Sequence, residues 1–265
     1  MPDQPTSRSQ VLDHLGLIAG MFDELGIGDV IDQATHQNPA MRDLTVGEAV
    51  KAMVLNGLGF VNHALYLVPR FFHNKPTSRL IAPRVSSTQL NDDALGRALD
   101  TLYNAGVTEL YSLIAATAAK RLELCPTSAH LDTTSFHVDG RYNSDDEPAE
   151  HVVHITQGSR RDHRPDLKKP ERIMALLMVM TVCLLVYAAL AYRIRNALKE
   201  HGATFPDQKG QRTQNPTARW VFHYFVGIHL LLLPDLRQWP LVLNLTEEHQ
   251  HLLQLLGDQY AWFYR

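Results

Sequence analysis

Residues 173–192, IMALLMVMTVCLLVYAALAY, run for 20 positions without a charge, and any fold this chain adopts must accommodate them. A helix of that length rises about 30 Å, enough to cross the hydrocarbon core of a bilayer. A helix that is apolar all round can equally be one that the rest of a protein covers. The flanks do not decide between these. Lys168, Lys169 and Arg172 precede the run and Arg193 and Arg195 follow it, so the positive charge shows no inside bias. Gly202 stands where a helix spanning the run would close.

The remaining composition is that of a globular protein. Of 265 residues, 45% are hydrophobic, enough to build a core. A formal charge of -3 and a pI near 6.5 give no global basic field, so nucleic-acid binding would need local Lys and Arg clusters. Cys125 and Cys183 are far apart with no CxxC spacing, and MPDQPTSRSQ lacks the charged and apolar regions of a signal peptide. These features predict a reducing, cytoplasmic setting.

From about residue 10 to 124 apolar residues recur at helical spacing. Leu12, Leu15, Ile18, Phe22 and Leu25 share one helix face, with Gly26 and Gly28 as breakers. Thr45 with Glu48 reads as a capping box, Asn91 as a cap with Asp92 and Asp93 behind it, Gly106 as a stop, and Thr108 as the next cap. The spacing predicts a bundle of roughly five helices. Arg70–Arg84 interleaves cations with Phe71 and Phe72; it reads as a solvated surface, with phosphate contact as the alternative.

After Pro126 the period changes from helical to alternating. HLDTTSFHVDG and HVVHITQG read as strands of a hairpin around a polar loop. His151 and His154 would fall on opposite faces of a strand, a poor zinc pair. Asp145, Asp146 and Glu147 read as a solvated turn. In GSRRDHRPDLKKPER, the residues Arg160, Arg161, Arg164, Lys168 and Lys169 could track a phosphate backbone or form an exposed basic loop.

HLDTTSFHVDG, QGSRRDHRPDLK and KKPERIMALLMVMTVCLLVYAALAYRIR together resemble bacterial insertion-sequence transposases of the DDE class, in the IS-four-like superfamily. LNDDALGRALDTLY is similar to the uncharacterised domain that precedes the catalytic domain in one branch of that family. The resemblance covers nearly the whole chain and implies a ribonuclease H-like domain. There, three carboxylates hold two Mg²⁺ or Mn²⁺ ions for in-line attack on phosphodiesters at transposon-end DNA. Asp132 matches the first carboxylate and is the single metal ligand and catalytic residue that can be carried over. The others have no counterpart: RDHRPDLK runs directly into KKPERI at 167–169, where the family has further strands, the second Asp and a helix bearing the Glu. Asp162, Asp166 and Glu171 do not stand in matching contexts. The resemblance therefore implies an internal deletion and a catalytically defective remnant, in which 173–192 is a helix that the family buries on its sheet. If its cover is missing, the helix exposes apolar surface.

Asn215 and Pro216 read as cap and first turn for TARWVFHYFVGIHLLLL, with Trp220, Phe222, Phe225 and Leu230 in the core. Thr246 starts a last helix, with His249 and His251 at the surface. The whole predicts a mostly α protein with a small β element (α+β). A helical N-terminal domain, 1–125, with DNA binding among its readings, precedes a truncated RNase H-like segment, 126–265. That segment comprises strands in 128–158, a join near 167–169, an apolar helix over 171–200 and C-terminal helices in 216–258. Two alternatives accompany the defective transposase: a non-catalytic protein that binds transposon-end DNA or pairs with itself or a full-length transposase, and a membrane-associated protein held by 173–192.

Overall fold

The computed structural model describes residues 8–36, 44–60, 63–124, 169–232 and 241–265. The hairpin expected within 128–158, with Asp132, lies outside them. The protein is mostly helical with small antiparallel sheets, as predicted, though the β element described lies elsewhere in the chain.

The first described element is a strand, β1 (Arg8–Val11), just ahead of the helical face read from Leu12. Asp13 at φ 47 turns the backbone, and only then does α1 (Leu15–Glu24) begin. Gly26 at φ 64 separates α1 from α2 (Ile27–Ala34). Gly28 is no breaker but lies inside α2. A Cβ on Gly47 would meet its carbonyl oxygen at 2.6 Å, so the two glycines let α2 touch α3 (Val46–Gly57) backbone to backbone.

The capping box on α3 forms as predicted: Glu48 N–H donates to Thr45 Oγ1 at 3.1 Å and Thr45 N–H to Glu48 Oε2 at 2.9 Å. Two single turns follow, α4 (Val68–Phe72) and α5 (Thr77–Leu80). Asn91 caps α6 (Asp92–Asn104), accepting from Ala94 N–H at 2.9 Å, and Gly106 at φ 85 ends it. Helix α7 (Val107–Arg121) has Gly106 at its N-cap. Thr108 is therefore inside the first turn, not the cap.

The uncharged run lies in α8 (Pro170–Glu200), 31 residues long. Pro170 starts it without losing a needed donor, and Glu171 and Lys199 suit the two ends of its dipole. At its end Ala203 N–H donates to Leu198 O at 2.8 Å and Gly202 N–H to Lys199 O at 3.1 Å, the paired bonds of a left-handed glycine stop. One stripe, including Ala175, Val179, Val182, Val186, Leu190 and Ile194, is buried. It packs against α1, α3, α6 and α7. Each buried Val, Leu or Ile contributes about 1.5–3 kcal/mol. Cover stops there: in the most apolar part of α8, with mean hydropathy 2.7, 39% of the residues are buried.

Strands β2 (Phe205–Pro206) and β3 (Arg212–Thr213) form a small hairpin. Thr217, rather than Asn215, caps α9 (Ala218–Tyr224), its hydroxyl accepting Trp220 N–H at 3.2 Å. The helix expected over TARWVFHYFVGIHLLLL ends at Tyr224. Gly227 takes φ 89, and β4 (His229–Leu232) pairs antiparallel with β1, Val11 opposite His229 and Arg8 opposite Leu232. Neither periodicity nor propensity anticipates this partner more than 200 residues away. Strand β5 (Leu241–Leu243) completes the sheet in the order β1-β4-β5. Phe222, Phe225 and Leu230 are core, as predicted, and Trp220 packs against it.

Helices α10 (Glu247–Leu256) and α11 (Asp258–Ala261) end the chain. Their aromatic residues seat on α1, where Gly16 and Gly20 leave a groove one turn apart. A Cβ on Gly20 would meet the Tyr260 ring at 2.7 Å, and one on Gly16 the Tyr264 ring at 2.6 Å. The core is continuous from α1 to Tyr264, so the elements on either side of residues 125–168 fold as one body. Gly20→Val should lower stability by about 2–3 kcal/mol, since a buried ring would have to move. Urea unfolding monitored by tryptophan fluorescence would show this as an earlier midpoint with unchanged slope.

Candidate functional site

Of the residues singled out from sequence, Asp132, Arg160, Arg161, Arg164 and Lys168 lie outside the described residues. Lys169 is described: it is the exposed N-cap of α8. One turn on, Arg172 Nε and Nη2 donate to Asp100 Oδ1 and Oδ2 of α6, both at 2.7 Å. That guanidinium holds the Asp100 carboxyl below the usual range, with Lys169 adding to the effect. The fork also fills the space beside Gly96, where a Cβ would meet Arg172 at 2.8 Å. The start of α8 is thus fixed by a bidentate pair, and Lys169 shares its surroundings with carboxylates. No group of three or more His, Cys, Asp or Glu able to hold a metal ion occurs among the described residues.

The Arg70–Arg84 segment is used within the fold. Phe71 and Phe72 are buried edge to face, with centroids 4.8 Å apart, and cannot stack on bases. Lys75 Nζ sits 4.2 Å from the Phe71 ring, Arg79 donates to the carbonyls of Phe263 and Arg265, and Arg84 pairs with Glu48 at 2.8 Å.

A cleft of about 370 Å³ opens between the starts of α3 and α6, with Thr45, Asn91, Gln89 and Arg97 on its wall. Two helix N-termini facing one cleft suggest an anion cradle. The caps, however, already receive the chain's own side chains, and Glu48, Asp92 and Asp93 occupy the first turns, so an incoming anion would meet negative charge.

The more unusual chemistry surrounds three groups to which periodicity gives no access. His14, just before α1, is 2% exposed. Its ring stacks on Phe222 and meets Phe60 edge-on, both at 4.5 Å. Nε2 donates to Leu58 O at 3.1 Å, so Nδ1 carries a buried lone pair that finds no partner. Burial pushes the imidazole down to about 4 despite that bond. Lys51, in the middle of the apolar stretch of α3, is similarly hidden. Its ammonium contacts both Asp23 carboxylate oxygens at 2.7 and 2.8 Å, with side-chain exposures of 7% and 53% for the Lys and the Asp. The pair borders a cleft of about 290 Å³ with Arg79 and Trp262. Glu24 accepts from the Tyr260 hydroxyl, and Arg193 Nε lies 3.3 Å from it. A charge inside an apolar helical run was the available signal for Lys51; nothing local distinguishes His14.

His249, expected at the surface, is 4% exposed. It takes the place of Glu in a capping box: Nδ1 accepts Thr246 N–H at 3.0 Å while Nε2 donates to Tyr224 O at 2.8 Å. His251 is exposed as predicted. Cys183 lies against Gly57, and burial raises its thiol to about 12, which removes it as a nucleophile at neutral pH.

Residues 7–116 match a family described as a domain of unknown function (DUF4277). The match runs from β1 into α7 and includes His14, Lys51 and Asp23, but none of α8. No curated protein and no solved structure matches the chain. The matched region is mostly a helical layer that α8 and the C-terminal aromatics complete.

Two stability predictions follow from the buried groups. Because folding holds His14 neutral, the unfolded chain binds more protons between pH 6.5 and 4, and stability falls as pH drops through that window. The His14 contribution is on the order of 3 kcal/mol, and His249, also lowered by burial, acts in the same direction. His14→Phe should flatten urea midpoints measured from pH 7 to 4 relative to wild type. Asp23→Asn strands a buried ammonium and should destabilise by about 3 kcal/mol, whereas Lys51→Met leaves only a half-exposed carboxylate and should lose less; equilibrium unfolding of both variants gives the order.

Proposed function

We propose that this chain derives from a DDE insertion-sequence transposase and no longer cuts DNA, retaining a folded helical body that engages transposon-end DNA or pairs with a full-length transposase. The observation that carries this reading is the join. The DTTSFHVDG motif with Asp132 is followed by RDHRPDLK, and at 167–169 by KKPERI, with α8 beginning at Pro170. A two-metal centre needs carboxylates from a central strand, a neighbouring strand and a later helix. Between Asp132 and α8 too little chain remains to supply them in the family's order. Mg²⁺ or Mn²⁺, the family's ions, would find Asp132 as the one ligand assignable by motif. Glu171, the acidic residue nearest the join that is described, is exposed in the first turn of α8 and suits the helix dipole.

Binding without cutting is consistent with this arrangement. Arg160, Arg161, Arg164, Lys168 and Lys169 stay grouped before α8 and can contact phosphates, a contact that weakens with salt. The setting proposed is the cytoplasm, where such DNA is met.

The full chain should be incubated with Mg²⁺ or Mn²⁺ and a duplex carrying the terminal repeats that flank its gene. The expected result is a gel shift that weakens with salt, stronger than for random duplex, and no nicks. Nicking that Asp132→Asn abolishes would show an active enzyme and overturn the reading, and equal binding to all duplexes at every salt concentration would remove the end-binding role.

A further inference from the structure

The cleft of about 290 Å³ beside Lys51 holds two cations that the fold uses only in part. Lys51 directs its ammonium at the two oxygens of Asp23. An ammonium has three donors, and the third meets no acceptor among the described residues, although the side chain is only 7% exposed. Arg79, half-buried on the same cleft, uses Nη1 to hold the carbonyls of Phe263 and Arg265 at 3.1 and 2.5 Å. Its Nε and Nη2 edge meets no acceptor and no carboxylate among the described residues. Burial disfavours that charge, and the Trp262 ring, 5.3 Å from Cζ, offsets only part of the cost.

The charges of the cleft do not cancel. Lys51 and Arg79 are positive, Asp23 is negative and the other lining residues are uncharged, which leaves one positive charge in excess. The ions just outside are already matched, Arg84 with Glu48 and Arg265 with Asp258.

We infer that this cleft binds a small organic monoanion, a carboxylate carried on an apolar body, received by the free edge of Arg79 and the third N–H of Lys51. The Nε and Nη2 edge of a guanidinium matches the two oxygens of a carboxylate, as Arg172 does on Asp100 with both contacts at 2.7 Å. A phosphate dianion fits the same edge, but it exceeds the single surplus charge and meets the carboxylate of Asp23, whose side chain is 53% exposed. Beyond the cations the walls are apolar, with Ile81, Pro83, Phe263 and the exposed ring of Trp262. The volume stands at the foot of the range of roughly 300–1,000 Å³ usual for ligand pockets, so the occupant is a small molecule. Asp23, Lys51 and Arg79 belong to the DUF4277 match, whereas Trp262 and Phe263 come from beyond it, and the site is complete only in the folded body. It uses none of the basic residues before α8 and holds whether or not the protein engages DNA.

Calorimetric titration of the full chain with benzoate, at neutral pH and fixed ionic strength, should reveal one saturable site with a Kd of about 0.1–1 mM. Benzamide, its uncharged isostere, and inorganic phosphate should each bind about tenfold more weakly or worse. Gln259 is exposed on the cleft, and Gln259→Glu cancels the surplus charge. That variant, with an unchanged circular dichroism spectrum, should lose about tenfold or more in benzoate affinity. Gln89→Glu adds the same charge at the cleft between α3 and α6 and should bind benzoate as the parent does. Absence of saturable binding up to about 20 mM benzoate overturns the proposal. So does benzamide or phosphate binding as tightly as benzoate, or an equal loss of affinity in the two glutamate variants.

Discussion

Burial of one stripe of α8 is the constraint on which the rest of the structure depends. Around Ala175, Val179, Val182, Val186 and Leu190 gather helices from the first half of the chain and, nearer the other end, those of the second. With each buried aliphatic side chain contributing about 1.5–3 kcal/mol, no hydrogen bond or ion pair among the described residues approaches the sum. The polar interactions set direction instead. The Arg172–Asp100 fork holds the start of α8 to α6, and Arg193 with Glu24 and Tyr260 holds its later turns to α1 and α11.

The chain termini are the second place where distant sequence is joined. Strand β1 pairs with β4, and Tyr260 and Tyr264 occupy the space that Gly16 and Gly20 leave on α1. The DUF4277 match ends at residue 116, yet the layer it covers has its apolar faces closed by α8 and the C-terminal aromatics. The segments that pack on the first helices come after residues 125–168, so the core closes around elements from both parts of the chain.

Much of the local structure was legible in sequence. The Thr45–Glu48 box, the Asn91 cap, the stops at Gly106 and Gly202 and the position of α8 all depend on interactions spanning four or five residues. The errors have two causes. Gly28 reads as a breaker but serves a contact with Gly47, Asn215 yields the cap to Thr217, and Leu230 and its neighbours read as helix but pair with β1. For Gly28 and Leu230 a partner remote in sequence decides, whereas the cap moves by two residues to Thr217, whose hydroxyl reaches Trp220 N–H. For the site, the DDE resemblance directs attention to Asp132 and the basic residues before α8. His14, Lys51 and His249 are invisible to it, since their burial and hydrogen bonds arise from packing.

By itself the sequence determined the caps of α3 and α6, the stop of α8 and that a long uncharged helix must be present, because capping and periodicity are written in neighbouring residues. Only the tertiary structure decided that β1 finds its mate in β4, that His14 is held neutral and Lys51 paired in the interior, and that α8 buries Val182 and Val186 while Met174 and Leu184 stay exposed. Those outcomes depend on which surfaces meet, and surfaces far apart in the chain meet only when the whole core closes.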